Sequence, residues 1–214
     1  MFNVDELLTC SAMPAISDVS LSLYKSFYEN KLMPLVFSYD FFDGSSIQLE
    51  FPKARFRHLL GIQHIDHGIT DDNIFQKLDD GLSFADWESD KRKHRKYNDM
   101  KDRIALFSCS YSTLKYGRIF YCPGRVVSNS PNVKLDYIIL RQINNRGLNF
   151  GIRNEGGCHI PITIMPSRSS NIKKYVNEDK LKVVSGLTIK NKYSQEVIEK
   201  LTYADSFIMS DTNE

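Results

Sequence analysis

The sequence predicts an α+β fold, a small twisted antiparallel sheet packed with helices. An N-terminal helical extension (1–34) precedes one domain (35–205) and a short tail (206–214). Three observations predict it. Apolar residues alternate with period two on both sides of Asp43-Gly44 and again around Gly156-Gly157, as half-buried strands do. Other stretches space their apolar residues three and four apart, which puts them on one side of a helix. Helical and strand patterns run in blocks, and no internal repeat or low-complexity linker divides the 214 residues, so one α+β body is expected instead of two domains.

In chain order, Ile16–Tyr28 places Ile16, Val19, Leu23 and Phe27 on one face, an amphipathic helix laid on the main domain. Leu35, Phe37, Tyr39 and Phe41 then alternate with Val36, Ser38, Asp40 and Phe42, and Ile47, Leu49 and Phe51 alternate with Gln48 and Glu50. With Asp-Gly between them the two runs form a β-hairpin, because glycine tolerates the positive φ of such turns. Pro52 ends the second strand and suits the first turn of a helix from Lys53. A short helix is expected over Thr70–Leu78, capped by Thr70 or Asp71, and Gly81 breaks the pattern. Asn98–Tyr116 is the longest expected helix, with Met100, Ile104, Phe107, Tyr111 and Leu114 as its buried stripe.

The remainder is mainly sheet. Arg118–Cys122 and Val133–Ile143 are expected strands, with a turn at Asn144-Asn145-Arg146-Gly147. Leu148, Phe150 and Ile152 form the next strand, and Ile160, Ile162 and Ile164 the one after Gly156-Gly157. Pro161 suggests an edge position, since it has no N–H for a ladder. Ser167–Asn171 reads as a loop. Leu181, Val183, Leu187 and Ile189 read as a late strand interrupted near Ser185-Gly186, and Val197–Tyr203 as a short helical fragment. Residues Ser210–Glu214 read as a frayed tail.

Composition excludes some classes of function. Four scattered cysteines, Cys10, Cys109, Cys122 and Cys158, form no C-x-x-C pair, which argues against a structural zinc site or a disulfide framework and suits reduced thiols in a cytoplasm. The start of the chain carries Asp5 and Glu6 instead of a basic region before an apolar run, unlike a secretory signal. No run reaches the ~18 apolar residues of a membrane span, so no membrane partner is expected. A net charge of +2 identifies no partner by itself. Neither a G-x-x-x-x-G-K-[ST] loop nor a G-x-S-x-G elbow is present.

The chemistry concentrates at Arg55–Ile62. On a helix from Lys53, Phe56, Leu59 and Leu60 share a stripe, and His58 points about 160° from Phe56, so core packing does not explain it. His64, His67 and Asp66 follow, a set chemically suited to zinc or iron but spaced poorly for it, since His58 and His64 are not one helical turn apart. Lys91, Arg92, Lys93, His94, Arg95 and Lys96 make a basic run just after Trp87. It is either a solvated face or a phosphate-attracting arm, with the indole free to stack on a base. Arg103 lies near the buried stripe of its helix and needs a partner, either a carboxylate at the core edge or a ligand in a cleft. Matching the apolar strand faces gathers Asn149, Arg153, His159 and Thr163 on the other face, which is either solvated or a site.

The segment Phe56-Arg57-His58-Leu59-Leu60-Gly61-Ile62, after a strand and Pro52, resembles the F-x-H-L-x-G-I signature of a phage-associated nuclease family, the fourth of the groups similar to barnase, EndoU, the colicin E5/D nucleases and RelE. Asp102-Arg103-Ile104, the strand Asp136–Leu140 and Ile160-Pro161-Ile162-Thr163 occur in that family's order, so the likeness spans roughly Leu35 to Met165. The resemblance implies a barnase/EndoU/RelE-like nuclease core and metal-independent RNA cleavage without a cofactor. It implies His58 as acid or base, and Arg103 and Thr163 as phosphate contacts. Arg153 and His159 are added from the strand-face pattern alone.

The expectation is therefore a cytoplasmic endoribonuclease acting as a toxin or phage-conflict effector, with RNA (tRNA among the candidates) and an inhibitory or immunity protein as partners. Lys91, Arg92, Lys93, Arg95 and Lys96 would add non-specific RNA affinity without catalysis. Two rivals stand beside it. One is a non-catalytic macromolecule-binding or inhibitor protein on the same fold. The other is a metal-dependent hydrolase using His58, His64, His67 and Asp66.

Overall fold

The computed structural model describes residues 2–127 and 130–203. The chain enters through a short helix, α1 (Val4–Thr9), whose N-terminus is closed by a capping box between Asn3 and Glu6. The next helix, α2 (Leu21–Phe27), continues into one wide π-turn over Tyr28–Leu32. Leu21, Tyr24, Phe27 and Tyr28 are its buried residues; of the expected face, Val19 and Phe27 are buried, whereas Ile16 and Leu23 are only half-buried at the margin of the core. Ser20 caps the helix four residues after Ile16 and so resets its phase; its hydroxyl accepts from the Leu23 N–H at 3.1 Å. Leu7, Cys10 and Val19 belong to the same hydrophobic cluster as the strands, so the first 34 residues share the main core.

The hairpin forms as expected from β1 (Leu35–Phe41) and β2 (Ser46–Glu50), with Gly44 at φ +81° in its turn. A helical segment follows: one 3-10 turn over Lys53–Arg55, then α3 (Phe56–Leu60), α4 (Ile62–Ile65), α5 (Ile74–Asp79), α6 (Phe84–Ser89) and α7 (Lys91–Leu106). The long helix expected to start at Asn98 therefore starts at Lys91, capped by Asp90, and the basic run forms its first turns. It also ends earlier. A 3-10 turn over Phe107–Cys109 separates it from α8 (Ser110–Tyr116), because the Ser110 and Ser112 hydroxyls bond the carbonyls of Phe107 (2.5 Å) and Cys109 (3.1 Å) and loosen the helical ladder there. The predicted stripe survives the break: Ile104, Phe107, Tyr111 and Leu114 are buried, and Met100 is half-buried against the core.

Among the described residues seven further strands follow: β3 (Arg118–Val127), β4 (Ser130–Ile143), β5 (Arg146–Glu155), β6 (Cys158–Arg168), β7 (Leu181–Lys182), β8 (Val184–Asn191) and β9 (Val197–Thr202). The last is a strand where a helical fragment was expected. It pairs with β8 through a turn in which Asn191 accepts from the Tyr193 and Ser194 N–H groups, and this pairing outweighs the weak helical spacing of six residues. The tail from 204 lies outside the described residues.

The strand order is β7-β3-β4-β5-β6-β2-β1-β8-β9, antiparallel apart from one parallel contact, Leu49↔His159, between β2 and β6. This sheet is larger than the small one expected, and it curls. β7 and β8 are one run of chain broken at Val183, and β7 pairs with β3 while β8 pairs with β1. The Val183 carbonyl, just past the end strand β7, accepts from the Phe42 N–H at the end of β1 at 3.0 Å, closing the curl between β7 and the β1–β8 pair. Rings from strands far apart in that order meet inside the curl, Phe41 of β1 stacking on Tyr137 of β4 at 6.4 Å, while Phe51 just past β2 meets Phe150 of β5 edge-on across β6 at 6.5 Å.

Helix α8 plugs the curl. Tyr39 and Tyr203 donate to the carbonyls of Leu114 (2.8 Å) and Lys115 (2.6 Å), and Phe37 packs edge-on against Tyr111. Gly117 ends the helix so close to β4 that a Cβ would lie 2.5 Å from Ile139. Pro161 was expected at an edge, but it lies on β6, an interior strand between β5 and β2. Its missing N–H is tolerated because the β2 pairing is confined to Leu49↔His159 just before it, and β6 also meets α3 and α7. No helix among the described residues is long and apolar enough to cross a membrane.

Candidate functional site

Helix α3 buries Phe56, Leu59 and Leu60 and is stopped by Gly61 at φ +77°, a left-handed cap that favours glycine. His58 lies on the opposite side, half-buried, and its Nε2 is 3.3 Å from Asp71 Oδ2. Arg57 holds the same carboxylate from its other oxygen, donating from Nε to Asp71 Oδ1 at 2.7 Å and from Nη1 to the Ile69 carbonyl at 3.0 Å. His58 Nε2 lies between Asp71 Oδ2 and Arg57 Nη2 (3.4 Å), the second of which can only donate. In the tautomer that directs Nε2–H at the Asp71 carboxylate, Nδ1, which has no hydrogen-bond partner among the described residues, is left as a lone-pair acceptor. Burial lowers the His58 pKa, with Asp71 opposing and Arg57 assisting that shift. Asp71 is itself kept ionised: burial raises its pKa, but the Arg57 hydrogen bond and the charges of His58 and Arg57 bring it below the usual value.

Arg103 reaches this helix from α7. Its Nε donates to the Leu59 carbonyl at 2.9 Å, and its Nη2 to the His58 carbonyl and to Thr163 Oγ1, the latter at 3.0 Å. Its guanidinium thus bonds helix-end carbonyls and a hydroxyl, and no carboxylate partner is found among the described residues. Burial lowers its pKa to about 10, so it stays charged at neutral pH. Arg103 therefore ties the main chain at His58 to the Thr163 hydroxyl, whereas the His58 imidazole is engaged with Asp71 and Arg57.

His64 stands exposed near them. Partial desolvation, then the charges of Arg103, His58, His67 and Arg57, lower its pKa, so the three histidines lie within electrostatic reach of one another. They do not form a ligand set. Asp66 is bound by Lys93 at 2.6 Å and by the Gly68 N–H at 2.9 Å, and His58 is engaged with Asp71. Among the described residues no group of three or more His, Cys, Asp or Glu side chains could hold a metal ion.

The basic run meets this site only in part. Lys93 pairs with Asp66, and Lys96 Nζ lies 3.5 Å from His67 Nε2, whereas Lys91, Arg92 and Arg95 project from the exposed side of α7. Trp87 cannot stack on a base, because it is fully buried against Phe84 and Tyr97. Its position before a charged run concealed this: the run is helical and its apolar neighbour faces the core.

The strand-face set is divided. A bulge between Gly151 and Ile152 sets Arg153 opposite Ile160 and Asn154 opposite His159. Directly opposed residues share a face and successive ones do not, so Arg153 and His159 lie on opposite faces. Arg153 pairs with Glu155, which Arg55 also holds at 3.0 and 3.1 Å. His159 sits edge-on to Tyr137 at 5.4 Å, away from that pair, and burial lowers its pKa. Asn149 is fully buried and donates to the Met165 carbonyl at 2.9 Å. Sequence reasoning missed Asp71 and Arg57 as parts of the site. Asp71 lies thirteen positions after His58 and looks like an ordinary helix cap, so no local signal marks it.

Comparison of the chain with protein-family models, with curated proteins and with solved structures finds no match.

Proposed function

We propose that this chain is a metal-independent endoribonuclease acting as a toxin or phage-conflict effector, with His58 as its general base. One observation carries the reading: a half-buried imidazole oriented by an ionised carboxylate, Asp71, with a free nitrogen and a surround of cationic and imidazole side chains. In this chemistry His58 Nδ1 takes the ribose 2′-OH proton, the 2′ oxygen attacks phosphorus, and the bond to the leaving 5′ oxygen breaks. The leaving oxygen takes its proton from water or from a protonated imidazole at the rim, where His64 and His67 lie. Cations near the phosphorane stabilise its developing charge. The resemblance of the Phe56–Ile62 segment to phage-associated nucleases supports the same reading, as does its implied setting: RNA as substrate, a cytoplasmic site of action and an inhibitory protein partner.

The test is incubation of purified protein with tRNA and total RNA in EDTA. Cleavage by wild type, abolished in His58→Ala and strongly reduced in Asp71→Asn, is the expected result; no cleavage of any RNA class would refute it. The rival reading, a non-catalytic macromolecule-binding protein, is favoured by one feature: Arg57, Arg103 and Lys93 all spend their donors inside the fold. It predicts that His58→Ala leaves the effect in cells intact while charge reversal of Arg92 and Arg95 destroys it.

A further inference from the structure

We propose that Cys10 and Cys109 form a peroxide-reactive dithiol that closes to an intramolecular disulfide, with Cys10 as the attacking thiol and Cys109 as the resolving one. Their sulfurs lie 3.5 Å apart although 99 positions separate them in the chain. Cys10 caps the C-terminal end of α1, and Cys109 ends the 3-10 turn before α8. Both are free thiols, and both lie within reach of the Ala12 carbonyl, at 3.2 Å from Cys10 and 3.4 Å from Cys109.

The two are not equally accessible, and this assigns their roles. Cys10 lines a surface cavity of about 550 Å³ together with Glu6, Thr9, Ala12 and Asp18, whereas Cys109 is fully buried behind it. An oxidant entering the cavity therefore meets Cys10 first. The same arrangement divides their acidity. The hydrogen bond from Cys109 lowers the Cys10 pKa against the opposing effect of burial, and the Arg141 charge lowers it further. That hydrogen bond and burial raise the Cys109 pKa. Arg141 Nη1 is buried without a hydrogen-bond partner among the described residues, and its guanidinium lies over the Tyr116 ring at 5.5 Å. A thiolate is the nucleophile in such chemistry, and a low-pKa cysteine beside a resolving one is the usual pattern of a redox-sensitive pair.

With hydrogen peroxide the step balances. The Cys10 thiolate attacks one peroxide oxygen, the O–O bond breaks, and a sulfenic acid and one water form. The Cys109 sulfur then displaces the sulfenic hydroxyl, forming the S–S bond and releasing a second water. Two thiols lose two protons and two electrons, and the peroxide takes up both. Closure requires the sulfurs to approach to ~2.05 Å, a short movement for a residue in the loop after α1.

The wild-type chain is treated with hydrogen peroxide, unfolded, alkylated and digested. A peptide pair joining Cys10 to Cys109, reversed by dithiothreitol, with Cys122 and Cys158 fully alkylated, is the expected result. Cys109→Ser should leave a sulfenic acid on Cys10 that dimedone traps, and Cys10→Ser should leave Cys109 unreactive towards peroxide in the folded protein. Alkylation of all four cysteines after treatment, or a link that prefers Cys122 or Cys158, would overturn the proposal. A dimedone adduct on Cys109 in folded Cys10→Ser would overturn the assignment of roles.

Discussion

Replacing Arg103 by methionine separates what this residue does for the fold from what the resemblance implies it does for a phosphate. The change keeps an unbranched apolar stem that ends about where Nε stands and removes every donor of the guanidinium. Three acceptors lose a donor: the carbonyls of His58 and Leu59, and Thr163 Oγ1. The His58 carbonyl keeps the Gly61 N–H at 3.3 Å, and Thr163 can still donate to the Ile164 carbonyl at 3.4 Å. The Leu59 carbonyl has no such substitute among the described residues. Bonds from a charged donor contribute about 1.5–3 kcal/mol each, and an orphaned buried carbonyl costs about 1–3 kcal/mol. Relief from burying the guanidinium, itself several kcal/mol, offsets much of that sum. A net loss of about 2–4 kcal/mol is expected. For a chain of this size that lowers Tm by roughly 4–16 °C. Urea unfolding and a thermal scan of both proteins measure it. A loss below ~0.5 kcal/mol, the range of an ordinary surface substitution, would mean that burying the charge cancels its bonds, and the role of Arg103 as the staple between α3 and β6 would be abandoned.

Other consequences follow from single residues. Trp87→Ala should cost about 3–5 kcal/mol by emptying a core site and leave the salt dependence of RNA binding unchanged; a flatter salt slope in that variant would restore a stacking role. Gly61→Ala should cost at least ~1–2 kcal/mol for a left-handed residue, because a Cβ there also meets Met100 Sδ at 2.9 Å, and a neutral result in urea would show that the helix end relaxes freely. Replacing Lys91, Arg92, Lys93, Arg95 and Lys96 by serine should reduce the salt slope of RNA binding by ~0.7 for each phosphate no longer neutralised; an unchanged slope in titrations at two salt concentrations would make α7 a solvated surface only. Because burial lowers the His58 pKa below its ordinary 6.5, the unfolded chain binds the extra proton first as pH falls. Its contribution to stability is thus complete above pH ~6.5 and is lost as pH falls through the folded value. His58→Gln should flatten the decline of the urea midpoint between neutral and mildly acidic pH, and an unaltered decline would assign it to other groups.

Local patterns in the sequence were legible where one physical rule decided them. Asp43-Gly44 and Gly156-Gly157 needed positive φ, and the flanking alternation then set the strands. The stripe through Ile104, Phe107, Tyr111 and Leu114 stayed buried even across the break at Phe107–Cys109. Long-range pairing was not legible. Nothing in Leu181–Asn191 shows that one run pairs with β3 at its start and β1 beyond, yet this pairing curls the sheet. The strand-face set failed at one position: the bulge between Gly151 and Ile152 changes the face of every residue beyond it, and so divides Arg153 from His159. At the candidate site the helix and its histidine were readable from Phe56–Ile62, whereas the choice of Asp71 as partner depends on how the chain turns after Gly68.

The bonding at the site separates positioning from attraction. Arg57 and Arg103 are bound to Asp71, Thr163 and backbone carbonyls, and Lys93 is neutralised by Asp66. These cations hold α3 and the imidazole in place, and substituting them moves His58 before it changes the field around a ligand. Lys96, His64 and His67 stand at the rim, and Lys91, Arg92 and Arg95 are exposed on α7. Long-range attraction for a polyanion belongs to these outer groups, since interactions between exposed charges decay over ~10 Å at 0.1 M salt. On the ribonuclease reading, rim substitutions therefore change affinity and its salt dependence at constant stability, whereas Arg57 and Arg103 substitutions change stability and turnover together. Abolished activity in Arg103→Met assigns a phosphate-binding role only when the assay temperature lies well below that variant's own Tm.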